Sequence, residues 1–135
     1  MESAFDVIVV GLGAMGSAAA YHLAKRHTRV LGLEAFTPAH DKGSSHGESR
    51  IIRQAYFEDP AYVPLLLRAY ELWDQLQRES EKELLFITGG LAIGAENGRL
   101  VAGCLKSAAR HGIPHQVFGI PEMARRYSQF SLAEA

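Results

Sequence analysis

The sequence holds one cysteine, Cys104, in 135 residues, which excludes an internal disulfide framework and any metal site built on several cysteines. A lone thiol fits a reducing compartment. Charge of one sign is not in surplus either: 14 basic and 15 acidic side chains leave a formal net charge of -1. Such a chain has no basic field for tracking a phosphodiester backbone and no acidic tail, so nucleic acid finds no support as a partner. Long apolar runs are also missing. The stretch from Val7 to Val10 follows Asp6 and is cut short by glycine. A secretory signal needs a basic start and a longer apolar centre, and a membrane span needs roughly 20 apolar residues. No membrane partner is expected, and cytoplasmic is the default localisation. Repeats and low-complexity tracts are absent, and the histidines other than His46 show no metal-ligand spacing.

What is present has the composition of an ordinary soluble domain, with 47% apolar and 21% charged residues. "FDVIVV", residues 5–10, is a β-branched run ended by glycine, as in a strand buried on both faces of a parallel sheet. A helix is predicted from Met15 to about His27, and "RVLGLEAF" supplies a second strand. Strand, glycine turn, helix and strand in so short a span make a βαβ unit, the start of an α/β, Rossmann-like fold. Beyond the polar stretch "TPAHDKGSSHG", residues 50–57 read as a short strand. Asp59 with Pro60 opens a long amphipathic helix carrying Tyr62, Leu66, Ala69, Trp73 and Leu76 at helical spacing. "LLFITGGLAIG" has the pattern of a hairpin turning at Gly89 and Gly90. Asn97 can cap a helix that ends near His111 at Gly112, residues 115–118 read as a further strand, and "IPEMARRY" as a short helix. These are the parts with which a doubly wound sheet begins. The expectation is therefore an incomplete fold, the front portion of a longer protein.

Gly11, Gly13 and Gly16 occupy the three glycine positions of G-x-G-x-x-G between the first strand and the first helix, with Met15 inside the motif. The first glycine permits a tight turn, the second lets a pyrophosphate approach the backbone, and the third lets helix and strand pack closely. Backbone amides at the helix N-terminus then face the phosphates. Glu34 ends the second strand close to the ~20 residues onward at which a carboxylate accepts from ribose hydroxyls. No arginine follows it to favour a 2′-phosphate. The fingerprint by itself serves NAD and FAD equally, since both carry an ADP half.

"GSSHGESRIIRQAY", residues 43–56, combines glycines, serines, His46 and two arginines. Gly43, Ser44, Ser45 and Ser49 with the loop amides suit phosphate or flavin contacts. On a strand, Arg50 and Arg53 would point to opposite faces, one toward a cofactor and the other toward a substrate. A guanidinium fork matches a carboxylate. The same residues also read as two solvated surface arginines and an exposed histidine. Tyr56 and Trp73 read as core or pocket wall.

Taken together, "DVIVVGLGAMGSAAAYHLA", "GSSHGESRIIRQAY", "YVPLLLRAYELW" and "TGGLAIG" resemble the monomeric sarcosine oxidase and N-methyltryptophan oxidase family of flavin-dependent amine oxidases over nearly the whole chain. The resemblance implies FAD as cofactor. It implies that residues 1–58 begin an FAD-binding domain and that residues 59–135 form the first part of a substrate domain. Positions matching His46 and Arg50 lie against the flavin ring in that family and are assigned catalytic roles. Gly43, Ser44, Ser49 and Ile51 match positions that line the flavin, and Arg53 matches the position pairing with the substrate carboxylate, with Tyr56 beside it. The implied reaction oxidises a secondary amine of a small N-methyl amino acid to an imine, reduces O2 to hydrogen peroxide and releases formaldehyde. The family's covalent flavin cysteine and its oxygen-activating lysine belong to a C-terminal half. Cys104, on a predicted helix among Leu100, Val101, Leu105 and Ala108, is read as a core residue and not as that cysteine. The 135 residues alone are accordingly expected to be inactive and poorly folded. An NAD-dependent dehydrogenase module and a non-catalytic truncated product remain the other readings of the same residues.

Overall fold

A computed structural model describes residues 4–130 as two compact units that divide after Arg50. The first is the βαβ unit: β1 (Val7–Val10), α1 (Ala14–Lys25) and β2 (Val30–Leu33). The strands pair in parallel, Val7 opposite Val30 through Val10 opposite Leu33. A parallel pair needs a crossover, and the alanine-rich helix supplies it. α1 covers one face of this small sheet. Val7 and Val9 are half-buried, whereas Ile8 is 56% and Val10 81% exposed. The expectation of burial on both faces is thus corrected: among the described residues of this unit, no element lies over the second face.

Ahead of the paired strands, the Asp6 carboxylate accepts from the Arg29 backbone N–H at 2.9 Å and from its guanidinium at 3.1 and 2.7 Å. The Arg29 side-chain hydrogen bonds, with its backbone bond and charge, hold the Asp6 carboxyl down at about 2. An unfolded aspartate titrates near ~3.9. A lowered native pKa means that the stabilisation is complete above roughly pH 4 and is lost as pH falls through about 2. Denaturation midpoints of the wild type should therefore fall across that window, and Asp6→Asn should flatten the fall while lowering the midpoint at neutral pH. Both partners are exposed, so added salt should shrink the effect.

The second unit contains a 3-10 turn (Pro60–Tyr62), α2 (Val63–Ser80), α3 (Arg99–His111) and α4 (Ile120–Arg126). Asp59 caps the turn as its sequence suggests, accepting from the Ala61 N–H at 2.8 Å. Proline at position 64 has no N–H to return to the preceding turn, and the α-helix proper begins only at Val63. The turn packs on α3, with Pro60, Val63, Ser107 and Ala108 buried, and Met123 is buried on α4. At Gly103 a Cβ would lie 2.2 Å from the Phe57 carbonyl oxygen, so α3 approaches that backbone at a distance only glycine allows. Trp73 is not core: it stays 40% exposed on α2, while Leu66, Ala69 and Leu76 are half-buried. No helix among the described residues is long and apolar enough to cross a membrane.

Four predicted strands are absent among the described residues. Residues 50–57, both arms of the segment 84–94, and residues 115–118 carry no ladder. A strand exists only with a neighbour to accept its hydrogen bonds. Around Arg53 those bonds are made by side chains instead: Tyr70 donates to the Ile52 carbonyl at 2.9 Å, Cys104 Sγ to Ala55 at 3.3 Å, and Ser107 Oγ to Tyr56. In the segment 84–94, the Gln77 side-chain carbonyl accepts from Leu84 and Leu85, both at 2.7 Å, and Phe86 and Ile87 are left exposed. The cap of α3 also moves by one residue, from Asn97 to Gly98.

Candidate functional site

The glycine turn is built by local constraint. Gly11 has φ +85, a left-handed conformation that disfavours any side chain, and its N–H donates to the Leu33 carbonyl at 2.7 Å. Its own carbonyl runs so close to α1 that a Cβ on Gly16 would stand 1.8 Å from the oxygen. By contrast, a Cβ on Gly11 or Gly13 would meet nothing within 4 Å. The turn is thus closed on the helix side at Gly16 and open on the other side at Gly11 and Gly13. Ser17 pins it by donating from Oγ to the Leu12 carbonyl at 2.9 Å and to Gly13. Gly13 caps α1 without a side-chain acceptor, so the first amides of the helix lack the partner that capping normally provides. An open concave backbone, uncapped amides and the positive end of a helix fit a pyrophosphate.

Beside this turn, Glu34 is half-buried and anchored by backbone. Its Oε2 accepts from the Leu12 N–H at 2.7 Å, and its Oε1 from Ala35 at 2.8 Å and Phe36 at 3.2 Å. The Leu12 hydrogen bond, with those of Phe36 and Ala35 and the nearby His40, holds the carboxyl below its ordinary range against the opposing effect of partial burial. It therefore remains an anion, with lone pairs left over for ribose hydroxyls. His40 Nε2 lies 3.4 Å from its Oε1. Sequence reasoning passed over this histidine because nothing in a one-dimensional spacing rule places position 40 back on position 34.

The loop of residues 43–50 folds on itself. His46 Nδ1 donates to the Gly43 carbonyl at 2.6 Å. The Arg50 guanidinium donates to the carbonyls of Ser49 at 2.8 Å, Ser44 at 3.4 Å and His46. Backbone oxygens of the serine loop thus face the cation. Met15 and Ile51 are 86% and 88% exposed. His46 and Arg50 belong to the first unit, Arg53 and Tyr56 to the second.

In the second unit, the Arg53 guanidinium lies 4.6 Å from the centre of the Tyr56 ring and 5.9 Å from that of Phe57. Its Nη2 is 3.8 Å from Glu58 Oε1, and about half of the side chain remains accessible. The stacking fixes the fork against an aromatic face while leaving its N–H edge able to receive a carboxylate. Glu58 was missed in the sequence, although an acid five residues after an arginine in an irregular loop gives no periodic signal. Cys104 is half-buried; burial raises its thiol above the ordinary range, with Arg53 opposing, which keeps it in the S–H form that donates to Ala55.

A sequence profile described as FAD dependent oxidoreductase matches residues 6–133. Among similar proteins, a monomeric sarcosine oxidase of Streptomyces avermitilis is 54% identical over 127 residues, covering 94% of this chain and 33% of its own length. A monomeric sarcosine oxidase of a Bacillus species (strain NS-129) is 42% identical over 129 residues, covering 95% and 33%. An N-methyl-L-tryptophan oxidase of Yersinia pestis is 35% identical over 130 residues, covering 96% and 35%. The chain spans about a third of the length of the curated relatives it matches. The fingerprint alone allowed NAD or FAD, and the match decides for FAD. Because the matched span runs from Asp6 through the glycine turn, Glu34 and Arg53 to the far end of α4, this chain belongs to the FAD-dependent oxidoreductase family.

Proposed function

We propose that the protein oxidises the secondary amine of a small N-methyl amino acid, a sarcosine-like substrate. The products would be an imine, which water hydrolyses to formaldehyde and the primary amine, and hydrogen peroxide from O2. The observation that carries the reading is the cradle of Gly11, Gly13 and Gly16 beside an ionised Glu34 in a chain of this family. Similarity to proteins named for sarcosine and N-methyl-L-tryptophan supports the substrate class.

In this reading, Gly11, Gly13, Met15, Gly16 and Glu34 hold the ADP half of the cofactor. Gly43, Ser44, His46, Ser49, Arg50 and Ile51 line its ring. Bound FAD supplies the two-electron acceptor and the path to oxygen. Arg50 offers positive charge where negative charge grows during reduction, and His46 stands with it as a catalytic residue. Arg53, steadied by Tyr56, binds the substrate carboxylate and so turns binding into correct placement of the N-methyl carbon. The proposal further takes residues 1–58 as the start of the FAD-binding domain and residues 59–135 as the first part of the substrate domain. The 135-residue chain by itself is proposed to be inactive.

The test uses the natural coding sequence. The purified protein should show flavin absorbance and form hydrogen peroxide and formaldehyde in equal amounts when given sarcosine or a related N-methyl amino acid. A colourless protein that makes neither product would sink the proposal, and flavin without turnover of any such amine would remove the substrate class alone.

A further inference from the structure

Resting on the reading of Glu34 as the ribose-binding carboxylate, we infer that His40 is a positioning residue for the nucleotide site. It would set the Glu34 oxygen that accepts from the ribose.

Three features converge on this histidine. Ala39 immediately before it adopts φ 62, a left-handed conformation that strains a residue with a Cβ and needs compensation from its surroundings. The imidazole then packs edge-on to Phe36, ring centres 4.9 Å apart, with only 16% of the side chain exposed, the same figure as for Glu34. Its Nδ1 accepts from the Lys42 N–H at 3.0 Å. A ring nitrogen that accepts carries no proton, so the neutral ring has its N–H on Nε2, the atom 3.4 Å from Glu34 Oε1. The Lys42 amide thus selects the tautomer, which places the ring proton on the nitrogen nearer the carboxylate. Glu34 Oε1 already accepts from Ala35 and Phe36. With His40 on the same side, the oxygen bonded to Leu12 is left as the less crowded acceptor. The strained Ala39 has a physical purpose in this arrangement, which is to return the chain so that position 40 meets position 34.

Binding titrations on flavin-free protein from the natural coding sequence test this, with ADP and 2′-deoxy-ADP as probes. Wild type should prefer ADP. His40→Ala and His40→Asn should lose about three- to tenfold in ADP affinity with little change for 2′-deoxy-ADP, as expected for one hydrogen bond to a charged group. His40→Gln carries an amide N–H at the reach of Nε2 and should keep most of the preference, whereas the shorter Asn reaches only the Nδ1 position. If His40→Ala does not fold, the Gln and Asn pair still carries the comparison. An equal loss for both nucleotides in every variant would make His40 a loop-packing residue and overturn the inference, as would unchanged discrimination in His40→Ala. Wild-type protein that binds both probes equally would remove the ribose role of Glu34, and this inference with it. Wild-type protein that binds neither would overturn the reading of the glycine turn as the ADP site.

Discussion

Gly16→Ala is expected to destabilise the first unit by about 3 kcal/mol or more and to abolish measurable nucleotide binding. The added methyl would stand 1.8 Å from the Gly11 carbonyl oxygen and 2.9 Å from its carbon. Both are backbone atoms, so no rotamer change relieves the clash. Either α1 moves off the turn or the turn opens, and both outcomes break the alignment of the helix amides with the open side at Gly13. Gly13→Ala is the informative contrast. Its Cβ would meet no protein atom within 4 Å and its φ is -62, so the fold should keep its stability within about 1 kcal/mol. The methyl would instead enter the open space proposed for pyrophosphate, and ADP affinity should fall more than about tenfold. Urea denaturation and ADP titration on the two variants separate packing from ligand approach. Normal binding in Gly13→Ala would exclude this turn as the phosphate site.

Arg53→Ala is expected to raise KM for an N-methyl amino acid by about 100-fold while leaving flavin content unchanged. The loss arises because a carboxylate brought into the site would lack its fork of donors. Arg53→Lys should recover only part of it, since a point charge cannot bind both oxygens or stack on Tyr56 in the same way. An N-methyl amine without a carboxylate should be turned over equally by wild type and Arg53→Ala. Steady-state kinetics with both amines, together with flavin absorbance per protein, make the measurement. Parallel loss of flavin and activity would take Arg53 out of substrate binding.

The parts legible in the sequence were those whose cause is local. β1, the glycine turn, α1 and β2 follow one another within a short span, and each is set by residues near in the chain: β-branched residues, glycine geometry, an alanine-rich helix. Asp59 with Pro60 and the α2 periodicity are likewise local. The strands expected at 50–57, 84–94 and 115–118 failed for one shared reason. "IIRQAYF" and "LLFITGG" carry β propensity, but propensity expresses fit to a pleated surface that another strand must supply. The carbonyls of Ile52, Ala55 and Tyr56 found Tyr70, Cys104 and Ser107 instead, partners no pattern could pair with them. The alternation argument that sent Arg50 and Arg53 to opposite faces lost its basis along with the strand. Arg53 is instead accessible and stacked on Tyr56 by contacts that need no strand. The relation of Glu34 to His40, and of Arg53 to Glu58, is three-dimensional and had no one-dimensional trace.

The side-chain bonds that replace a strand around Arg53 govern how that segment fluctuates. A ladder frays from its end, one rung at a time. Here Ile52, Ala55 and Tyr56 are tied to α2 and α3 at separate points, so the segment opens only when a helix releases it. The arginine proposed to select the substrate therefore shares the cooperative unit of the two helices. Any change in the packing of α2 or α3 that undocks Tyr70 or Ser107 reaches Arg53 through its own backbone.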